Sequence, residues 1–153
     1  MMPTLLTKHV FKLVIKVAKP IEAGDFGYGA RRVIPIEGGE LVGEGMHGTI
    51  EAGGADYQII RPNGFTELEA KYAVRMNDGA VIYVENIGVR FGPADALEKI
   101  RRGELVDPKL IYFRSRPRFE TGHPDYRWLM ESFFVGSGSR FPDRVELDVF
   151  QVL

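Results

Sequence analysis

The chain has 153 residues, 44% of them hydrophobic, and its 20 Lys and Arg against 21 Asp and Glu leave a formal net charge of −1. That length suits one domain around one core, and the balanced charge argues against a nucleic-acid binder, which usually carries a basic excess. The absence of cysteine excludes disulfides, thiol nucleophiles and thiolate metal sites.

The opening, MMPTLLTKHVFKLVIKVAKP, is broken by Lys8, Lys12 and Lys16. It holds no apolar run of signal-peptide or membrane-spanning type. The expectation is a soluble, cytoplasmic protein. Phe11, Leu13, Ile15 and Val17 share one face, with Lys12, Val14 and Lys16 on the other, which predicts a half-buried strand. Arg32, Ile34 and Ile36 predict a short strand ended by Gly38-Gly39. Residues 46–52 close at Gly53-Gly54, and residues 56–61 close at Asn63-Gly64. Leu68, Ala70, Tyr72 and Val74 alternate with charged neighbours. Asp78-Gly79 then supplies the positive φ angles of a hairpin turn into residues 80–90.

One helix is predicted near residues 93–102, in GPADALEKIRRG. Pro93 suits its first turn and Gly103 its stop. Leu97 and Ile100 form a narrow apolar stripe, and Arg101 and Arg102 complement the negative end of the helix dipole. Strands over residues 110–120, 126–136 and 144–152 complete the set. Nothing divides the chain, so residues 1–153 are read as a single domain. Many short antiparallel strands with one helix predict an all-β fold. A single antiparallel β-barrel is preferred, because closure removes sheet edges, and a small barrel can hold one small ligand.

The stretch GEGMHG, residues 43–48, matches the dinucleotide pattern GxGxxG, but a strand-like TIEAGG follows it where a helix is required. Turn glycines are the better reading. His9, His47 and His123 stand in no metal-binding spacing, and GSGS at residues 136–139 lacks the nucleophile-elbow pattern. No metal and no cofactor are expected. Trp128, beside Tyr126, is read as a pocket wall or as plain packing.

The informative residues are polar ones on apolar stripes. Arg32 shares a face with Ile34 and Ile36, and Tyr72 with Ala70 and Val74. Asn86 and Arg90 share a face with Ile82, Val84 and Gly88, and Asp56 lies in GGADYQ. Burying such groups without partners is costly. Either they pair structurally at the barrel ends, or they converge in a pocket where arginine fixes an oxyanion and a carboxylate moves protons.

In YFRSRPRFETG, residues 112–122, strict alternation puts Arg114, Arg116, Arg118 and Glu120 opposite Phe113 and Phe119, and so outward. Pro117 signals an edge or a bulge, and a bulge resets the parity. The alternative therefore turns Arg114 inward, with Tyr112 on its face.

GARRVIPIEGGELVGEGMHGTI, GGADYQIIRPNG, LEAKYAVRMNDGAVIYVENIGVR, YFRSRPRFETG and YRWLM occur in that order. Over residues 17–153 the chain resembles the family called domain of unknown function 3237, or uncharacterised protein family 0311. The resemblance implies a compact, mostly antiparallel barrel similar in shape to allene oxide cyclase and lipocalin-like barrels, and it carries no general reaction. Arg32, Asp56, Tyr72, Asn86, Arg90, Arg114 and Glu120 match the family's recurrent pattern, which implies that they act together. Tyr57 stands where tryptophan is common, and Met130 where asparagine is common. If that asparagine helps to bind a ligand, Met130 makes the pocket more apolar.

The leading expectation is a cofactor-independent enzyme of isomerase, cyclase or lyase type, acting on a small, partly apolar carbonyl, phenolic or polycyclic compound. In it Asp56 or Glu120 is the general base or acid, and Arg90 and Arg114 stabilise negative charge. Arg32, Tyr72, Asn86, Tyr112 and Trp128 contact the substrate. The alternatives are a non-catalytic binding protein for a small carboxylate or aromatic compound, and a structural or assembly protein. A homo-oligomer is expected in each, with no nucleic-acid and no membrane partner.

Overall fold

A computed structural model describes residues 1–153. Ten strands build the fold: β1 (Thr7–Val17), β2 (Ile21–Asp25), β3 (Ala30–Gly43), β4 (Met46–Ile50), β5 (Ala55–Ile60), β6 (Thr66–Met76), β7 (Val81–Phe91), β8 (Tyr112–Glu120), β9 (Phe134–Arg140) and β10 (Arg144–Val152). The pairing runs β1-β10-β9-β8-β7-β6, all antiparallel. Between β6 and β3 both β4 and β5 are inserted, each pairing with both neighbours. Pairing of β3 with β1 closes an eight-position barrel. The predicted all-β barrel is the fold, and α1 (Ala94–Arg101) is its one α-helix.

Three elements differ from the sequence reading. Gly38-Gly39 does not end a strand, because β3 runs through it for 14 residues. Both glycines have positive φ, and a side chain at Gly39 would meet the Val14 carbonyl. The pair bends β3 so that its first half faces β2 and β5 and its second half faces β1 and β4. β2 was not predicted, since every residue in it is exposed and no apolar alternation marks it. The segment 126–136 is not one strand. Pro124–Met130 coils as a 3-10 turn, started where the Asp125 N–H donates to His123 Nδ1 at 3.2 Å. Tyr126, Trp128 and Leu129 pack on the core from this segment, and their spacing does not keep the two-residue period of a strand.

Inward residues from β1, β3, β4, β6, β7, β8, β9 and β10, with Ala80 and Leu129 between strands, form one core of 19 buried side chains, which includes Phe11, Leu13, Leu41, Val74, Ile82, Phe119 and Leu147. At about 25 cal/mol per Å² this burial is the main favourable term in folding. The 3-10 turn covers one end of the barrel with Leu129 and Trp128. At the other end α1 follows β7 directly and buries Ala96, Leu97 and Ile100. No helix is long and apolar enough to cross a membrane.

Candidate functional site in the barrel interior

The strand registers set the polar residues in tiers. Deepest is Tyr72 on β6, level with Val84 and Phe119. The next tier runs Ile34, Asp56, Ala70, Asn86, Pro117. Above it come Arg32, Gln58, Leu68, Gly88 and Ser115. The tier nearest α1 holds Ile60, Thr66, Arg90 and Phe113. Asp56 thus sits about 13 Å of strand below the Arg90 level, at roughly 3.3 Å per residue.

These groups are buried, save the half-buried Asp56, and short of partners. Arg32 and Arg90 are each 3% exposed and Gln58 is 1% exposed. Arg90 Nε, Asp56 Oδ1, Gln58 Oε1, Tyr72 Oη, Asn86 Oδ1 and Ser115 Oγ have no hydrogen-bond partner. The one internal bond joins Gln58 Nε2 as donor to Asp56 Oδ2 at 2.8 Å. Arg32 Nε lies 3.1 Å from Glu22 Oε1 on β2, without the alignment of a hydrogen bond. Buried polar atoms normally find partners, so this cluster of orphans makes the barrel interior the candidate site.

Burial raises the Asp56 pKa, while the Gln58 hydrogen bond and the Arg90 charge pull it back. Burial lowers Arg90 to about 10, with the Asp56 charge opposing and Arg140 and Arg32 reinforcing. Burial, with a lesser push from the Asp56 charge, raises Tyr72 and keeps it a neutral phenol. Desolvation dominates all three, as expected of groups shielded inside a barrel. The space beside Asp56, Gln58, Asn86 and Ser115 is narrow, about 40 Å³. That holds a few waters and is well short of the ~150 Å³ that admits a benzene ring.

Of the residues expected at the site, Asp56 and Asn86 line the narrow space, Arg32 and Arg90 line the cleft beside α1, and Tyr72 lies in the core a tier below Asp56. Arg114, Glu120 and Tyr112 are not among them. β8 keeps strict alternation, with no bulge at Pro117. Its ladder to β9 covers only Arg114 and Ser115, so Pro117 stands where β8 is an open edge and needs no N–H on that side. Arg114, Arg116, Arg118 and Glu120 therefore face outward. The Arg114 guanidinium lies over the Tyr112 ring at 5.4 Å, also outside. Trp128 packs against Phe134 at the closed end, with ring centroids 5.9 Å apart. Tyr57 faces out from β5 and Met130 is exposed beyond the closed end, so neither borders the chamber.

Sequence reading missed Gln58, Ser115 and Arg140, which also line the chamber. Gln58 was legible, since it shares the Asp56 face of β5. Arg140 lies outside the strand that the sequence predicts over residues 126–136, because β9 spans Phe134–Arg140. Gly43–Gly48 forms the β3–β4 hairpin, so GEGMHG opens no helix. No three His, Asp or Glu side chains converge as a metal-ligand set.

Residues 5–152 match the model of the family described as protein of unknown function, DUF3237. The chain belongs to this family. The DUF3237 relative RPA1785 from Rhodopseudomonas palustris is 60% identical over 153 residues, all of both chains. Its crystal structure superposes with a TM-score of 0.95 at 59% identity, covering 99% of this chain and 100% of that one. A protein from Acinetobacter baumannii called beta-barrel like superposes at 0.87 with 34% identity, covering 100% and 99%. An enzyme from Penicillium herquei shares the fold at a TM-score of 0.74 and 17% identity, covering 100% and 98%.

Proposed function

We propose that this DUF3237 chain is a cofactor-independent acid–base enzyme of isomerase, cyclase or lyase type, working on a small carbonyl compound inside the barrel. The observation that carries the reading is Asp56. It is a half-buried residue whose carboxylate has a raised pKa, with Oδ2 held by Gln58 and Oδ1 shielded from solvent without a hydrogen-bond partner. A raised pKa brings a carboxylate toward the working range of a general base.

In the proposed step Asp56 Oδ1 takes a proton from the carbon next to the carbonyl. The C–H electron pair moves into the new C=C bond, and the carbonyl π pair moves onto oxygen. Arg90 stabilises that oxygen as an enolate, in a medium where an unpaired guanidinium is strongly felt. Return of the proton to another carbon gives isomerisation. Departure of a leaving group from the β carbon gives elimination. The narrow chamber favours a slim carbonyl group over the phenolic or polycyclic classes.

A purely structural role predicts interior charges paired with one another, whereas Arg90 and Arg140 form no ion pair within 4.0 Å. The enzyme from Penicillium herquei supports only the point that this fold hosts catalysis. A cytoplasmic location and a homo-oligomer belong to the same proposal.

The test is a thermal-shift screen of lactones, enones and small acids, with each hit then incubated and its products examined. Conversion by the wild type and none by Asp56→Asn supports the enzyme. Hits that bind yet return unchanged from both proteins point instead to a carrier.

A further inference from the structure

The chamber holds more positive charge than the proton-transfer reading uses. Arg32, Arg90 and Arg140 line one end of the barrel; Asp56 is the carboxylate of the narrow space, while Glu22, Glu98 and Asp143 stand in the clefts at the mouth. One guanidinium, Arg90, suffices for an enolate. Arg32 is only partly offset by Glu22, which is half exposed on the edge strand β2. Arg140 has no carboxylate partner. Its Nη1 donates to the carbonyls of Phe141 and Arg144, and the Asp143 carboxylate nearby pairs with Arg144 at 2.9 Å.

The rim continues the pattern. Two clefts, of about 190 and 440 Å³, flank α1 and share Arg32 and Arg101. Arg61 and Arg102 on the same rim are matched by Glu67 and Glu104, at 3.1 and 2.6 Å, but Arg101 has no such match. A chain of net charge −1 thus gathers three unmatched arginines, Arg90, Arg101 and Arg140, at one mouth. Glu98, which also lines a cleft, lies 3.7 Å from Arg102, and Asp143 pairs with Arg144, so the arginines left over make the mouth net positive. Such a cleft concentrates anionic ligands, and guanidinium forks suit carboxylate and phosphate oxygens.

We propose that the substrate is an anion carrying a carboxylate or phosphate group, held by Arg32 and Arg140 at the α1 mouth while its carbonyl reaches down to Asp56. This rests on the reading of the barrel interior as the reaction chamber. The clefts beside α1 supply the room that the narrow chamber lacks. Burial lowers Arg32 and Arg140 as well as Arg90, and Arg32 is pressed further by Arg101. An incoming oxyanion relieves that strain.

The test is calorimetric titration of benzoate with benzamide, cinnamate with cinnamamide, and inorganic phosphate, into the wild type, Arg140→Met, Arg140→Lys and Asp56→Asn. Each acid is expected to bind at least ~10-fold tighter than its amide and to weaken as salt rises. Arg140→Met loses ~10-fold or more, Arg140→Lys keeps part of the affinity, and Asp56→Asn keeps or gains it. Tighter acids assign the head group as carboxylate, and tighter inorganic phosphate assigns it as phosphate. Amides that bind as well as acids, anions indifferent to Arg140→Met, or no binding of any of the three anions would overturn the inference. Failure of the acid–base reading shows separately, as anion binding that persists in a protein whose Asp56 does no chemistry.

Discussion

Asp56 and Arg90 share the barrel interior without touching. Each moves the other's pKa toward the charged form, yet no nitrogen–oxygen distance between them reaches 4.0 Å. A structural ion pair closes such a gap to recover its desolvation cost. Here the gap stays open, and Asp56 Oδ1 and Arg90 Nε are left without partners.

Arg90→Met is therefore expected to stabilise the unliganded protein by about 1 kcal/mol or more, because it replaces a buried unpaired charge by a similar apolar volume. In a chain of this length that raises Tm by ~2–4 °C. Turnover is lost in the same variant. Differential scanning calorimetry checks the sign, and a fall in Tm would mean that Arg90 is a structural member of the fold.

Asp56 sets a pH dependence of stability whose sign follows from its raised pKa. Between the ordinary value of 3.8 and the raised folded value, the folded chain holds a proton that the unfolded chain has released. Stability therefore falls as pH rises through that window, and the whole penalty is present above it. Asp56→Asn removes this part of the slope and leaves the protein more stable at neutral pH. Urea denaturation from about pH 4 to about pH 8, wild type beside variant, measures the difference.

The outer row of β8 is expected to be silent. Arg118 is 73% exposed and lies 3.6 Å from Glu120, itself 57% exposed, and such pairs contribute little. Arg114→Gln, Arg116→Gln and Glu120→Gln each change stability by no more than ~0.5 kcal/mol and leave turnover intact. A large loss of turnover in Glu120→Gln would show that the outer face takes part in function.

Packing around the mouth is tight enough to be felt by one methyl group. A Cβ at Gly138 would lie 2.8 Å from atoms of the Phe113 ring, and the Arg90 guanidinium lies over that ring at 5.6 Å. Gly138→Ala is expected to cost ~1–3 kcal/mol through overpacking, read as a lower denaturation midpoint. An unchanged midpoint would show that Phe113 is free to move.

Much of the fold was legible because alternation on β1, β6, β7 and β10 records a closed wall with one dry face. Arg32, Asp56, Tyr72, Asn86 and Arg90 were legible at the site for a related reason, since each interrupts an apolar stripe. The β8 residues misled because proline in a strand allows either an edge or a bulge, and only the short β8–β9 ladder decides between them. Arg140 was lost with the register of β9, because Pro124–Met130 has enough aromatic character to read as a strand while coiling with a three-residue period. Glu22 sits on β2, an edge strand with no buried face, and leaves no periodic trace.

The most direct measurement is deuterium exchange into small enones and β-keto acids incubated with the protein in heavy water, followed by proton NMR. If Asp56 moves a carbon-bound proton inside the barrel, the wild type and Glu120→Gln exchange the α position of the keto acid, or the α′ or γ position of the enone, well above the buffer rate, and Asp56→Asn does not. Exchange at the same rate in the wild type and Asp56→Asn, with both proteins folded, would contradict a catalytic role for Asp56.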